Sequence, residues 1–163
     1  MTVIACSELP ENALKNLLTP YQLEIKMVSN HTDIPGSFWG ENEAGLIGNI
    51  LYLQDATPLH SALHEACHYI CMDNARREVL DTNAGGGYDE ENAVCYLQLI
   101  LSDHLAGYSK KQQFTDMDEW GYTFRLGSAE RWFNVDADDA KQWLIEKELI
   151  SSNEEPKWRL RAD

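Results

Sequence analysis

The chain has 163 residues, enough for one domain with a proper core and too few for two. Its hydrophobic fraction of 44% and its five tryptophans exclude a disordered segment, and its longest apolar runs fall far short of a membrane span. A formal net charge of −14 argues against nucleic acid and anionic membrane as partners, since both are polyanions, and favours cations and basic protein segments.

The first residues, through Cys6 and Ser7, show no basic region followed by a long apolar stretch, so no signal peptide is expected and the expected location is cytoplasmic. In that compartment the four cysteines are expected as reduced thiols that pack like small apolar side chains. Residues 8–18 predict a short amphipathic helix with Ser7 as cap, Pro10 in the first turn and Ala13, Leu14, Leu17 and Leu18 as its apolar stripe. Pro20 ends it. Residues 21–28 alternate, with Tyr21, Leu23, Ile25 and Met27 set against Gln22, Glu24 and Lys26, which is the period of a strand with one buried face. After a loop at 29–36, residues 37–40 and 46–53 predict two strands joined by a polar turn. Gly45 and Gly48 would let an extended peptide approach this edge as an extra strand, although a bulge or a packing glycine accounts for them equally well.

The next stretch carries the chemistry. Thr57 and Pro58 have the character of an N-cap and a first helical residue, and His64-Glu65-Ala66-Cys67-His68 follows inside the helix they start. At 3.6 residues per turn, His64 and His68 lie one turn apart on one face and can reach a single metal ion. Glu65 is about 100° round from His64, placed to act as a general base without taking a coordination position. Leu59, Leu63, Ala66 and Ile70 form the apolar side, so the histidines lie on a flank bordered by His60, Cys67 and Cys71 and face a cleft. A closed four-ligand site including Cys67 and Cys71 would leave Glu65 idle, and both thiols are read as packing residues.

Arg76 and Arg77 suit a last helical turn, and residues 81–87 form a flexible connection. A second strong helix begins near Tyr88 or Asp89, with a stripe of Ala93, Val94, Leu97, Ile100, Leu101 and Leu105. Glu90 lies on that stripe, and a carboxylate facing a core is expensive unless paired or bound to metal. Glu91 is rotated toward Cys95 and Gln98 and reads as a solvated acid suited to the helix dipole. Residues 109–118 are polar, a helix is reasonable across 128–133, and 136–150 predicts a clear helix. Residues 1–150 thus form a single domain and 151–163 a charged, loosely held tail.

A catalytic zinc keeps three protein ligands and one open position. His64 and His68 supply two. The extended pattern with a third histidine fails, because Cys71 and Asn74 stand where Gly and His are required. Glu90 is therefore the candidate third ligand, with Glu91 in the same first turn as the alternative.

With His64-Glu65-Ala66-Cys67-His68 followed by Glu90-Glu91-Asn92-Ala93, the sequence resembles the gluzincin metallopeptidases over roughly residues 8 to 108, in particular the minimal cytosolic ones of the ImmA/IrrE type. Val94 departs from the Asn or Asp usual in that family at its position. The resemblance implies an α+β fold of minimal zincin-like type: a small twisted sheet packed on the motif helix and a glutamate-bearing helix, with additional helices after them. It also implies zinc-assisted hydrolysis of a peptide or protein substrate, with Glu65 as general base and Tyr122, Arg125, His104 or Tyr108 as candidate donors to the oxyanion. Two other classes stay open: a zinc-binding regulatory or interaction module without turnover, and a metal-free domain acting through its acidic surface.

Overall fold

The computed structural model describes residues 3–124 and 126–163. In chain order these form helix α1 (Ala13–Leu18), strands β1 (Glu24–Met27), β2 (Gly45–Ile47) and β3 (Ile50–Leu53), then helices α2 (Leu59–Cys71), α3 (Asn74–Glu78), α4 (Tyr88–Ser102), α5 (Lys110–Trp120), α6 (Ala129–Val135) and α7 (Asp138–Glu146). The architecture is α+β, with a three-stranded sheet of order β1-β3-β2 in which β1 runs parallel and β2 antiparallel to β3. No helix among the described residues is long and apolar enough to cross a membrane.

The expected strand at 46–53 is instead a tight hairpin, β2 and β3, turning at Gly48 and Asn49. Gly48 has φ +55°, the left-handed conformation such two-residue turns need. Residues 37–40 form no strand and contribute one isolated bridge, between Ser37 and Gly45. The outer edge of β2 is already covered: Leu46 N donates to Gly36 O at 3.1 Å, and Thr82 N donates to Leu46 O at 2.9 Å. A Cβ on Gly45 would stand 1.8 Å from the Pro35 carbonyl oxygen, so this glycine serves close packing, not a docking peptide.

Helix α2 starts one residue later than Thr57 and Pro58 suggested. Pro58 is the N-cap, and the Thr57 hydroxyl accepts from Gln54 N at 2.9 Å instead of capping the helix. Leu59, Leu63, Ala66 and Ile70 are fully buried, and α2 packs along α4. After Met72 the chain restarts as α3, capped by the Asp73 carboxylate on Arg76 N. Arg76 and Arg77 therefore close α3 and not α2.

Helix α5 was not legible as a helix because half of its buried face is polar. Gln113 and Asp116 are buried beside Phe114 and Met117, with Asp116 accepting from the Tyr108 hydroxyl at 2.7 Å and from Gln112 Nε2 at 2.9 Å. Residues 151–163, expected to be loosely held, are tied to the end of α2. Arg161 N donates to Ile70 O at 3.0 Å, Arg161 Nη1 donates to Cys71 O at 3.1 Å, and Asn74 N donates to Asp163 O at 2.8 Å. Arg77 donates to the carbonyls of Tyr69, Ile70 and Met72. Two guanidinium groups thus satisfy the orphan carbonyls where the helix dipole is negative.

Candidate metal centre

His64 and His68 project from one face of α2, with ring centroids 4.7 Å apart and planes at 89°. Their Nε2 atoms converge on one carboxylate from the first turn of α4, that of Glu91. His64 Nε2 lies 3.0 Å from Oε1 and His68 Nε2 3.2 Å from Oε2. Burial opposes the charge on Glu91, but the two imidazoles beside it more than reverse this and hold its carboxyl well below the usual range.

Glu90, the expected ligand, is turned away from the histidines. Its two oxygens accept from Arg76 Nη2 at 2.7 Å each, and Oε1 also accepts from Arg161 Nη1 at 3.2 Å. The apolar stripe misleads about the facing side of α4 because that helix is buried nearly all round, from Ala93 to Ser102. What meets α2 is a polar seam, Glu91, Cys95 and Gln98, spaced at i, i+4 and i+7. Gly86 packs against Glu90: its φ is +96°, and a Cβ there would come within 2.4 Å of Glu90 Oε2.

Gln98, which the sequence places beside Glu91 without a role, orients the ring of His64. Its amide donates to His60 O at 3.0 Å and to Gln113 Oε1 at 3.1 Å, so its oxygen must accept, and His64 Nδ1 donates to it at 3.1 Å. With Nδ1 donating to Gln98, Nε2 is the nitrogen turned to Glu91, where a proton on it is shared with the carboxylate and its loss would free the lone pair to ligate. A polar residue at full burial inside an otherwise apolar helix was the available signal. His68 lacks such a partner: its Nδ1 is buried with no hydrogen bond among the described residues.

Glu65 is buried, and burial pushes its carboxyl up, with Glu91 and Glu43 adding to the shift while His64 and His68 oppose it. It makes no hydrogen bond among the described residues. Of the candidate oxyanion donors, Tyr122 lines the same cleft, and its hydroxyl shares a 3.1 Å hydrogen bond with His60 Nδ1. Burial pushes the Tyr122 hydroxyl up to about 12 and the buried His60 down to about 3. His104 instead faces Glu155 at 3.6 Å, and Tyr108 is engaged with Asp116. Arg125 lies outside the described residues. Cys67 and Cys71 are fully buried in the core with their thiols pushed up by burial.

The donor set could hold a metal ion, and zinc sets the scale for comparison. Ligand atoms about 2.1 Å from a tetrahedral ion stand about 3.4 Å apart. The donor atoms of His64, His68 and Glu91 all lie within 4.8 Å of one another, with both histidine–carboxylate distances near 3 Å. Two imidazoles and one carboxylate leave a fourth position open. The cleft around them measures about 590 Å³ and is walled by Trp39, Trp120, Tyr122 and Phe124. No family model, curated protein or solved structure matches the chain.

Proposed function

We propose that the protein is a cytoplasmic zinc-dependent peptidase of minimal zincin-like type, with His64, His68 and Glu91 as the metal ligands and Glu65 as the general base. The observation that carries this reading is the convergence of both Nε2 atoms on the Glu91 carboxylate beside a buried Glu65 that makes no hydrogen bond among the described residues. When bound, zinc would supply Lewis-acid polarisation of the scissile carbonyl and a lowered pKa for the attacking water. Glu65 takes the proton from that water at a carboxylate oxygen. Its raised affinity for protons suits it to hold the proton and deliver it to the leaving amine. Tyr122, protonated at every physiological pH, donates to the developing oxyanion. Gln98 keeps His64 in the ligating tautomer, and the aromatic walls limit water.

The test uses protein purified without added metal. Metal analysis is expected to find one zinc per chain, and a broad peptide library is expected to be cleaved. Glu65→Gln should keep the zinc and lose turnover. Zinc without turnover in the wild type would leave the protein a binding module, and absence of zinc would remove the metal reading altogether.

A further inference from the structure

His60 stands one turn before His64 on α2 and is not among the donors that meet at the metal position, yet only 1% of its surface is exposed. Its ring packs against Trp120, with centroids 4.9 Å apart, and meets the Tyr122 ring edge to face at 5.5 Å. Trp120 is itself fixed on its other side, where Nε1 donates to Glu43 Oε1 at 3.2 Å. His60 Nδ1 lies 3.1 Å from the Tyr122 hydroxyl oxygen, and Nε2 is buried with no hydrogen bond among the described residues.

The one hydrogen bond between His60 and Tyr122 can run in either direction, and the direction decides what Tyr122 has left to offer the cleft. Burial holds His60 neutral, with its pKa down at about 3, so the ring carries a single N–H. Suppose first that this proton sits on Nε2. Nδ1 must then accept from Tyr122, the hydroxyl proton is engaged by His60, and the Nε2–H is a buried donor without an acceptor. Suppose instead that it sits on Nδ1. His60 then donates to the Tyr122 oxygen, and what is left alone in the core is a bare lone pair.

Buried N–H groups without a partner are rarer than under-satisfied acceptors, so the balance favours the proton on Nδ1. The Tyr122 hydroxyl keeps its own proton, since burial pushes its pKa up to about 12. An oxygen that accepts from Nδ1 turns that proton to its other side, free for a partner in the cleft that Tyr122 lines together with His64 and Glu65.

We propose that His60 is a positioning residue for Tyr122: it keeps a proton on Nδ1, donates it to the Tyr122 oxygen, and so commits the Tyr122 O–H to the cleft as a hydrogen-bond donor. The place of the proton stands on the burial and contacts of His60 alone. Its consequence for turnover rests on the peptidase reading, in which Tyr122 donates to the developing oxyanion.

Nitrogen–proton correlation spectra of the histidine rings locate the proton in wild-type protein without substrate, metal or turnover, the His60 signals being assigned by their absence from His60→Gln. At pH 7 Nδ1 is expected to be protonated, and a bare Nδ1 would overturn the proposal. This decides the matter even where a variant fails to fold.

Kinetics on a cleaved peptide test the consequence. His60→Leu should lower kcat at least about tenfold with KM and zinc stoichiometry near wild type. In a Tyr122→Phe background no hydroxyl is left to orient, and His60→Leu should cost nothing further. An equal loss of kcat in both backgrounds, with circular dichroism unchanged, would reduce His60 to a packing residue and overturn the proposal. Absence of turnover in wild type with Nδ1 protonated sinks only the peptidase reading, and turnover with Nδ1 bare sinks only the role of His60.

Discussion

Glu90 and Arg76 form a bidentate pair in which Arg76 Nη2 donates to both carboxylate oxygens at 2.7 Å, and this pair stands one residue before the carboxylate that spans His64 and His68. Arg161 joins Glu90 to the Cys71 carbonyl at the end of the motif helix. The two adjacent acids thus divide the work: Glu91 faces the two imidazoles at the candidate metal position, and Glu90 ties the start of α4 to the end of α2.

The two acids should therefore respond differently to truncation. Glu91→Ala removes one of three donors and should abolish stoichiometric zinc with little loss of stability. Glu90→Ala takes one of two carboxylates from Arg76, which is partly exposed and keeps Asp73, with an expected cost of about 1–3 kcal/mol in urea unfolding. Its effect on zinc affinity should be about 10- to 100-fold, the range for residues that orient ligands. Zinc titrations of the two variants side by side check this, and a greater loss of zinc in Glu90→Ala would reverse the assignment.

The shared face of His64 and His68 was legible because α2 encodes it locally. His64, Glu65 and His68 need only the helical repeat to share a face, and Leu59, Leu63, Ala66 and Ile70 mark which side is buried. The carboxylate that meets the two imidazoles was not legible in the same way. Its identity depends on the rotation of α4 against α2, and an apolar stripe reports rotation only when one face of a helix meets water. Buried almost all round, α4 carries that information in Glu91, Cys95 and Gln98. The hairpin at Gly48 and Asn49 was hidden by an unbroken apolar run on either side. The docking of 151–163 rests on Arg161 meeting Ile70 and Cys71, a contact about 90 residues distant in sequence that no local pattern reports.

Stability should depend on pH through His60. Burial lowers its pKa from 6.5 to about 3, so between those values the unfolded chain binds a proton that the folded chain refuses. The contribution is fully present above about pH 6.5 and is lost as the pH falls toward 3, with a slope of up to about 1.4 kcal/mol per pH unit. Urea midpoints from pH 7 to pH 4 should fall less steeply in His60→Gln than in the wild type. Parallel curves would show that His60 is charged in the folded protein.

Cys67→Ser and Cys71→Ser should leave zinc stoichiometry unchanged. Both thiols are fully buried, burial holds them protonated, and neither belongs to the group of donor atoms at His64, His68 and Glu91. Each serine would bury a hydroxyl, lowering stability by about 1–3 kcal/mol. Loss of zinc in either variant, at a temperature where circular dichroism shows the fold intact, would support a closed four-ligand site and remove the hydrolase reading.

Gln98 gives the most specific test of how the centre is held, because its two ends do different things. Its amide nitrogen donates to His60 O and Gln113 Oε1, which is structural, and its oxygen receives the proton of His64 Nδ1, which sets the tautomer. Gln98→Glu keeps the acceptor for His64 but loses both amide donations. It should fold less stably and bind zinc with near wild-type affinity once folded. Gln98→Met keeps the volume and removes the acceptor, so His64 is free to place its proton on Nε2, where it blocks ligation. Zinc affinity should then fall about 10- to 100-fold, the cost typical of losing an orienting partner. The ring nitrogen chemical shifts of His64 in zinc-loaded protein report which nitrogen ligates. A wild-type shift pattern in Gln98→Met, with unchanged zinc affinity, would show that packing alone orients the ring.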